Sequence, residues 1–307
     1  MTVEDGAPAP APAPAPAAGS GEEATPADDW DLGGEVALGS MLFTLVEPHR
    51  GHEVAYHRWY ERDHFYAGCM IGPWYFAGRR WVATRDLKDL RIGAAASGDS
   101  DGDGDGDGDG DGHAGPLFGD DRAGSYLSIY WVLAGRHREN TDWATRQVHW
   151  LHRNGRMFPE RDHVHTLLYR YRGADPRDPD GVPPELALDH PFPGLAAVVV
   201  DRPGGRAEAA ATPPHWPLAP DSPIALVLSF QGIPLPANAP VTQPGTEGIE
   251  RREMQLWFAD SEPREWWPAV QAYADARREA GDGAVVRWAG AFIPTVPGTD
   301  RYCDQLW

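Results

Sequence analysis

Short apolar runs with a period of two alternate along this chain with longer stretches of helical spacing, and that alternation predicts the elements. Residues 42–46 (LFTLV) are apolar and β-branched and read as a strand. Residues 52–70 lack proline and place Val54, Tyr56, Trp59, Tyr60 and Phe65 at helical spacing, so a helix is expected there, stopped by Gly72-Pro73. Residues 74–83 are aromatic and extended again. In the next strand, 126–133 (YLSIYWVL), Leu127, Ile129, Trp131 and Leu133 would share one face, with Tyr126, Ser128, Tyr130 and Val132 on the other. A helix over 138–153, capped near Asn140 or Thr141 and ended by Asn154-Gly155, leads into a strand over 163–171. The order is βαββαβ, a ferredoxin-like unit.

The second half repeats this order imperfectly. Strands are expected over 195–201, 224–230, 254–259 and 285–293, with a helix over 265–280 opened by Pro263. The stretch 203–223 is too rich in proline and alanine to predict the first helix of a second unit. Such a sheet has one face covered by its own helices and one bare face, and two units packed sheet to sheet solve that problem. A barrel closed between them also removes exposed edges. The expected fold class is therefore α+β: two ferredoxin-like units, the second degenerate, packed as an α/β-barrel within one chain. The boundaries read as a tail over 1–35, a first unit over 36–173 with a loop over 95–115, a proline-rich linker over 174–193 and a second unit over 194–307.

Composition trims this picture. The Ala-Pro repeat at the start and the alternating Asp-Gly run of 98–112 lack the large apolar side chains a core needs. The formal charge of −19, from 46 acidic and 27 basic residues, offers no basic stripe for nucleic acid. Much of that charge sits in the tail and loop, so the folded portion is closer to neutral. Thirteen tryptophans imply a well-filled core or an aromatic-walled pocket. Cys69 and Cys303 form no metal or disulfide spacing, which implies a reducing compartment. There is no signal-peptide pattern and no run of 18 apolar residues, so a cytoplasmic chain with no membrane partner is expected.

The most informative residues are Trp59-Tyr60-Glu61-Arg62-Asp63-His64, followed by Pro73 and Arg79-Arg80-Trp81. This strand, W-Y-x-x-D-H helix and aromatic, arginine-rich strand resemble the dimeric α/β-barrel superfamily, including EthD-like and antibiotic-biosynthesis-monooxygenase-like proteins, here as a tandem fusion. The resemblance implies a pocket between the sheet and helices of a unit. His57, Tyr60 or Glu61, and His64 share one helical face, so His64 is the candidate base, with Tyr60 and His57 beside it as catalytic groups. Trp59, Arg80, Tyr126 and Tyr130 are candidate substrate-binding residues, and Arg79, Arg80, Arg136, Arg138 or Arg146 could hold a carboxylate bidentately. The implied activity is cofactor-independent cyclisation, isomerisation or oxygenation of an aromatic, polyketide-like or lactone substrate, as in secondary metabolism. No cofactor is expected, and a homodimer is allowed.

Two other readings stand beside it. One is a non-enzymatic ligand-binding or structural barrel. The other is a transition-metal or haem enzyme using His149 and His152 on the second helix with His163 and His165 on the following strand. The Asp-Gly run begins like a calcium loop but lacks its closing glutamate, and Ser128 and Ser229 lack a nucleophile-elbow context.

Overall fold

The computed structural model describes residues 35–93, 116–202, 218–234 and 244–307. Residues 1–34, 94–115 and 203–217 hold the Ala-Pro tail, the Asp-Gly loop and most of the proline-rich stretch of the second half, and these lie outside the described residues. The elements are β1 (Leu38–Pro48), α1 (Glu53–Trp59), β2 (Tyr75–Val82), α2 (Arg85–Asp89), β3 (Tyr126–Leu133), α3 (His137–Arg153), β4 (Arg161–Pro176), β5 (Gly194–Asp201), β6 (Ile224–Gly232), β7 (Arg252–Ala259), α4 (Pro263–Glu279) and β8 (Val285–Pro294).

The eight strands close into an antiparallel barrel in the order β1-β3-β2-β8-β5-β7-β6-β4. This is an α+β architecture with ferredoxin-like strand order: β1 lies between β3 and β4, and β5 lies between β7 and β8. One seam is short, with only Trp81↔Pro294 and Val82↔Ile293 pairing β2 to β8. The other runs from Tyr169↔Gly232 to Pro176↔Leu226. That second seam explains why β4 continues five residues past the stretch expected from sequence. Residues 172–176 have poor strand chemistry, but pairing with β6 overrides it.

Alternation fills the interior as expected for β3. Register sets Met41 opposite Trp131, Phe43 opposite Ile129 and Leu45 opposite Leu127 on one face. Phe230 packs on Trp131, and Tyr169 on Phe43, inside the ring. Each fully buried aromatic contributes about 1.5–3 kcal/mol of transfer free energy. The connector between β4 and β5 closes one end of the barrel. Its Ala187, Leu188 and Phe192 are buried, Trp131 Nε1 donates to the Pro184 carbonyl at 3.1 Å, and Phe192 packs on Phe258. Leu117 and Phe118 close the other end, where Phe118 meets His165 and Trp288.

The expected first helix spans the predicted residues but changes character. After α1 it widens into two π-helical turns, Tyr60–His64 and Tyr66–Met70. The end of this helix approaches β2 where Gly78 stands. A Cβ there would lie 2.8 Å from both Met70 Sδ and Tyr130 Cδ1, and 3.0 Å from Phe65. After β8, residues 295–307 cross back over the first half as a strap, with Leu306 fully buried. Among the described residues no helix is long and apolar enough to cross a membrane.

The close approach at Gly78 gives a test: Gly78→Ala overpacks the helix against β2 and costs about 1–3 kcal/mol. Urea unfolding monitored by tryptophan fluorescence reads this loss, and an unchanged midpoint would contradict the packing described.

Candidate ligand site at Arg80

Strand alternation places Trp81 inside the barrel and Arg80 on the face toward the helix. In register, Arg80 lies opposite Ser128, with Gly78 opposite Tyr130 and Val82 opposite Tyr126. The π-widened helix lays His57 and Tyr60 over this patch. Arg80 is 5% exposed, with its guanidinium carbon 4.5 Å from the Tyr60 ring centroid and 5.1 Å from that of Tyr126. Arg80 Nη1 donates to His57 Nδ1 at 3.3 Å and to the His57 carbonyl at 3.4 Å. Its Nε and Nη2 have no partner, and no described carboxylate pairs with it.

None of the described groups that touch Arg80 carries a negative charge. His57 Nε2 donates to the Thr299 carbonyl at 2.9 Å, which leaves the Nδ1 lone pair for Arg80 and makes the ring neutral. Burial first, and then the Arg80 charge, lower the His57 pKa. Glu61 approaches the outer side of the same imidazole at 3.3 Å. Tyr60 and Tyr130 share a hydroxyl hydrogen bond of 3.0 Å, and Tyr126 pairs with Cys303 Sγ at 3.3 Å. Burial raises the pKa of all three tyrosines, so they remain neutral phenols that can donate to an anion.

His64 lies on the other side of Tyr60 from His57. It stacks on Trp59 at 4.5 Å and 20°, and its edge meets Tyr60 at 5.2 Å. Its Nδ1 is buried without a partner and faces Gly68, 3.2 Å from where a Cβ would stand. Burial, followed by the nearby Arg161 guanidinium, lowers its pKa to about 3. The structure thus gathers His57, Tyr60, Arg80, Tyr126 and Tyr130 around one point, with Trp59 and His64 adjoining.

The second histidine group is not assembled. His149 and His152 are exposed on α3, and His163 is exposed beside Thr166. A register shift between Leu45 and Val46 separates the pairings of His165 and His163. His165 points into the barrel, bonded to the Pro244 carbonyl at 2.8 Å and the Tyr169 hydroxyl at 2.6 Å. Among the described residues no group of three or more His, Cys, Asp or Glu side chains could hold a metal. Sequence reasoning missed the strap: Thr299 and Cys303 reach the site from more than 170 residues away, and no periodic signal marks them.

No family model matches the chain, and no curated protein does. Among solved structures, one similar chain is the encapsulated DyP-type peroxidase from Mycobacterium smegmatis, with 13% identity, 89% of this chain and 96% of that chain covered, and a TM-score of 0.46. Another is TA0507, provisionally named a chlorite dismutase, with 10% identity, 88% of this chain and all of that chain covered, and a TM-score of 0.44. These are ferredoxin-like α+β proteins, and they give no support to the EthD-like or antibiotic-monooxygenase-like resemblance. Both names belong to haem-dependent enzyme classes and so run against the cofactor-independent main reading and its expectation of no cofactor. At these TM-scores the likeness assigns no reaction to this chain.

Among the described residues, the histidines singled out by sequence do not fit a haem. Of these, His57 and His165 have both ring nitrogens engaged, His149, His152 and His163 are on the surface, and His64 is stacked on Trp59 with its Nδ1 buried beside Gly68.

The buried neutral histidines fix the sign of a pH dependence. The pKa of His64 is lowered to about 3 and that of His165 to about 4, below the model-peptide value of about 6.5 that applies on unfolding. Their stability contribution is complete above about pH 6.5 and is lost as pH falls toward 4, because the unfolded chain binds protons that the folded one refuses. Each adds a slope of up to about 1.4 kcal/mol per pH unit in that window. Denaturant midpoints measured from pH 8 to pH 4.5 should fall below pH 6.5, and a flat profile would contradict the assignment.

Proposed function

We propose that this protein is a small-molecule-binding barrel whose site lies between the π-widened helix and the outer face of the first sheet, with Arg80 as the anchor for an anionic ligand. One observation carries this reading: Arg80, only 5% exposed, keeps two buried donor nitrogens with no partner, and no carboxylate beside it, among the described residues. Burying an unpaired charge costs several kcal/mol, and cation–π contact with two tyrosine rings offsets only about 0.5–2 kcal/mol each. A ligand that brings the missing negative charge recovers that cost. One hydroxyl of the bonded Tyr60–Tyr130 pair is left to donate to it, while Tyr126, His57, Trp59 and His64 would form the wall.

The wider reading is a tandem of two ferredoxin-like units, over 36–173 and 194–307, that close one barrel within one chain. It is supported by the matching strand order of the two halves. The role is binding of a small molecule rather than catalysis, because the Nδ1 lone pair of His57 is taken by Arg80 and burial makes His64 a weak base.

Replacing Arg80 tests this. In anion-free buffer Arg80→Met should stabilise the fold by about 1–3 kcal/mol, since an uncompensated buried charge gives way to an apolar side chain of similar length. The same variant should lose anion binding by at least about tenfold, as read by tryptophan-fluorescence titration with chloride, phosphate and small carboxylates. Equal affinity in variant and wild type, or destabilisation without ligand, would overturn the proposal.

A further inference from the structure

Three other arginines show what the free edge of Arg80 is shaped for. Arg252 places Nε at 2.7 Å and Nη2 at 2.9 Å from the two oxygens of Asp201. Arg58 grips Asp300, and Arg156 grips Asp63, through the same two nitrogens. In Arg80 this Nε/Nη2 edge is the part left without a partner, while Nη1 is taken by His57. Two parallel donors on one planar edge match the two oxygens of a carboxylate. A single counter-charge is what the compartment needs. The groups that touch Arg80 are phenols, a neutral imidazole and, opposite in register, the Ser128 hydroxyl, so one negative charge balances the one positive charge there.

The way in is also on the page. Two side chains that contact Arg80 are themselves tied to the strap of residues 295–307: His57 donates to the Thr299 carbonyl, and Tyr126 pairs with Cys303 Sγ. The strap starts on Arg80 itself, where Thr295 N and Oγ1 both donate to the Arg80 carbonyl at 3.2 Å. Farther along it is held by the exposed Arg58–Asp300 pair. Tyr302 within it has φ +75°, the one non-glycine residue at positive φ among the described residues, a conformation that costs about 1–2 kcal/mol. Apart from the buried Cys303 and Leu306, the strap is held by polar ties and carries a strained residue, so its exposed middle, residues 297–301, is easier to lift than the barrel strands it covers.

We propose that the Nε/Nη2 edge of Arg80 binds a monocarboxylate with an apolar or aromatic body, and that the ligand enters when the 295–307 strap lifts. This rests on the anion-binding reading above.

The test is stopped-flow tryptophan fluorescence on the full chain with benzoate, acetate, phosphate and chloride as probes. Benzoate should bind at least about tenfold tighter than phosphate or chloride. Arg80→Lys, which keeps the charge but loses the fork, should lose that preference. Asp300→Ala, which removes one tie of the strap and no contact of Arg80, should raise association and dissociation rates together by about three- to tenfold and leave the affinity near its original value. Arg80-dependent binding of phosphate or chloride as tight as benzoate would overturn the carboxylate assignment and leave the anion site standing. Absence of binding by every probe would overturn both. Unchanged rates in Asp300→Ala would overturn the strap as the entry.

Discussion

Closing eight strands into a ring removes every sheet edge and turns the inner faces of both halves toward each other, so a single decision, the alternation of side chains, settles two cores at once. Inward positions such as Phe43, Trp131, Tyr169, Phe230 and Trp288 fill the ring. Outward positions on the same strands must then be covered by helices. Arg80 is buried only because it falls on an outward position roofed by the π-widened helix and the strap. A register slip of one residue on β2 would send the charge into the barrel and Trp81 to the helix.

The π turns matter for the same reason. An α-helix over 53–70 would sweep its side chains around 3.6 residues per turn, whereas the wider turns hold Tyr60 over Arg80 and set His64 back on Trp59. Gly68 and Gly78 then let the widened segment sit close, one beside the His64 ring and the other beneath Met70 and Phe65. The local geometry of the helix, the missing side chains and the position of the charge form one arrangement.

Much of this was legible in the chain. The strand pattern of 126–133 announced its two faces, the repeated order of strands announced the barrel, and Arg80, Tyr60, Tyr126 and Tyr130, prominent in the sequence, lie together in the fold. Three features were not legible, each for a physical reason. The far end of β4 is written in arginine, glycine, aspartate and proline, and only pairing with β6 makes it strand. The π widening has no sequence period of its own. The strap reaches His57 through a main-chain carbonyl at a sequence separation of 242 residues and Tyr126 through a cysteine, contacts that no spacing rule foresees. The histidines misled in the opposite direction: His149, His152, His163 and His165 look like a ligand set in one dimension, but a helix surface and a shifted strand register part them.

The contrast between Arg80 and the other buried arginines carries the functional weight. Arg252 is buried to the same degree but is closed on Asp201 and the Gly245 carbonyl. Arg91 spends its Nη1 and Nη2 donors on the carbonyls of residues 121–124. Both serve as struts: they pin loops and strands and leave little donor capacity over. A strut at position 80 would have been simple to complete, since Ser128 stands directly opposite in register and an aspartate there would supply the carboxylate. The chain instead places a hydroxyl opposite, three phenols around and a removable segment above. That combination spends stability on an unpaired charge, and the expense is intelligible where the partner comes from outside the protein.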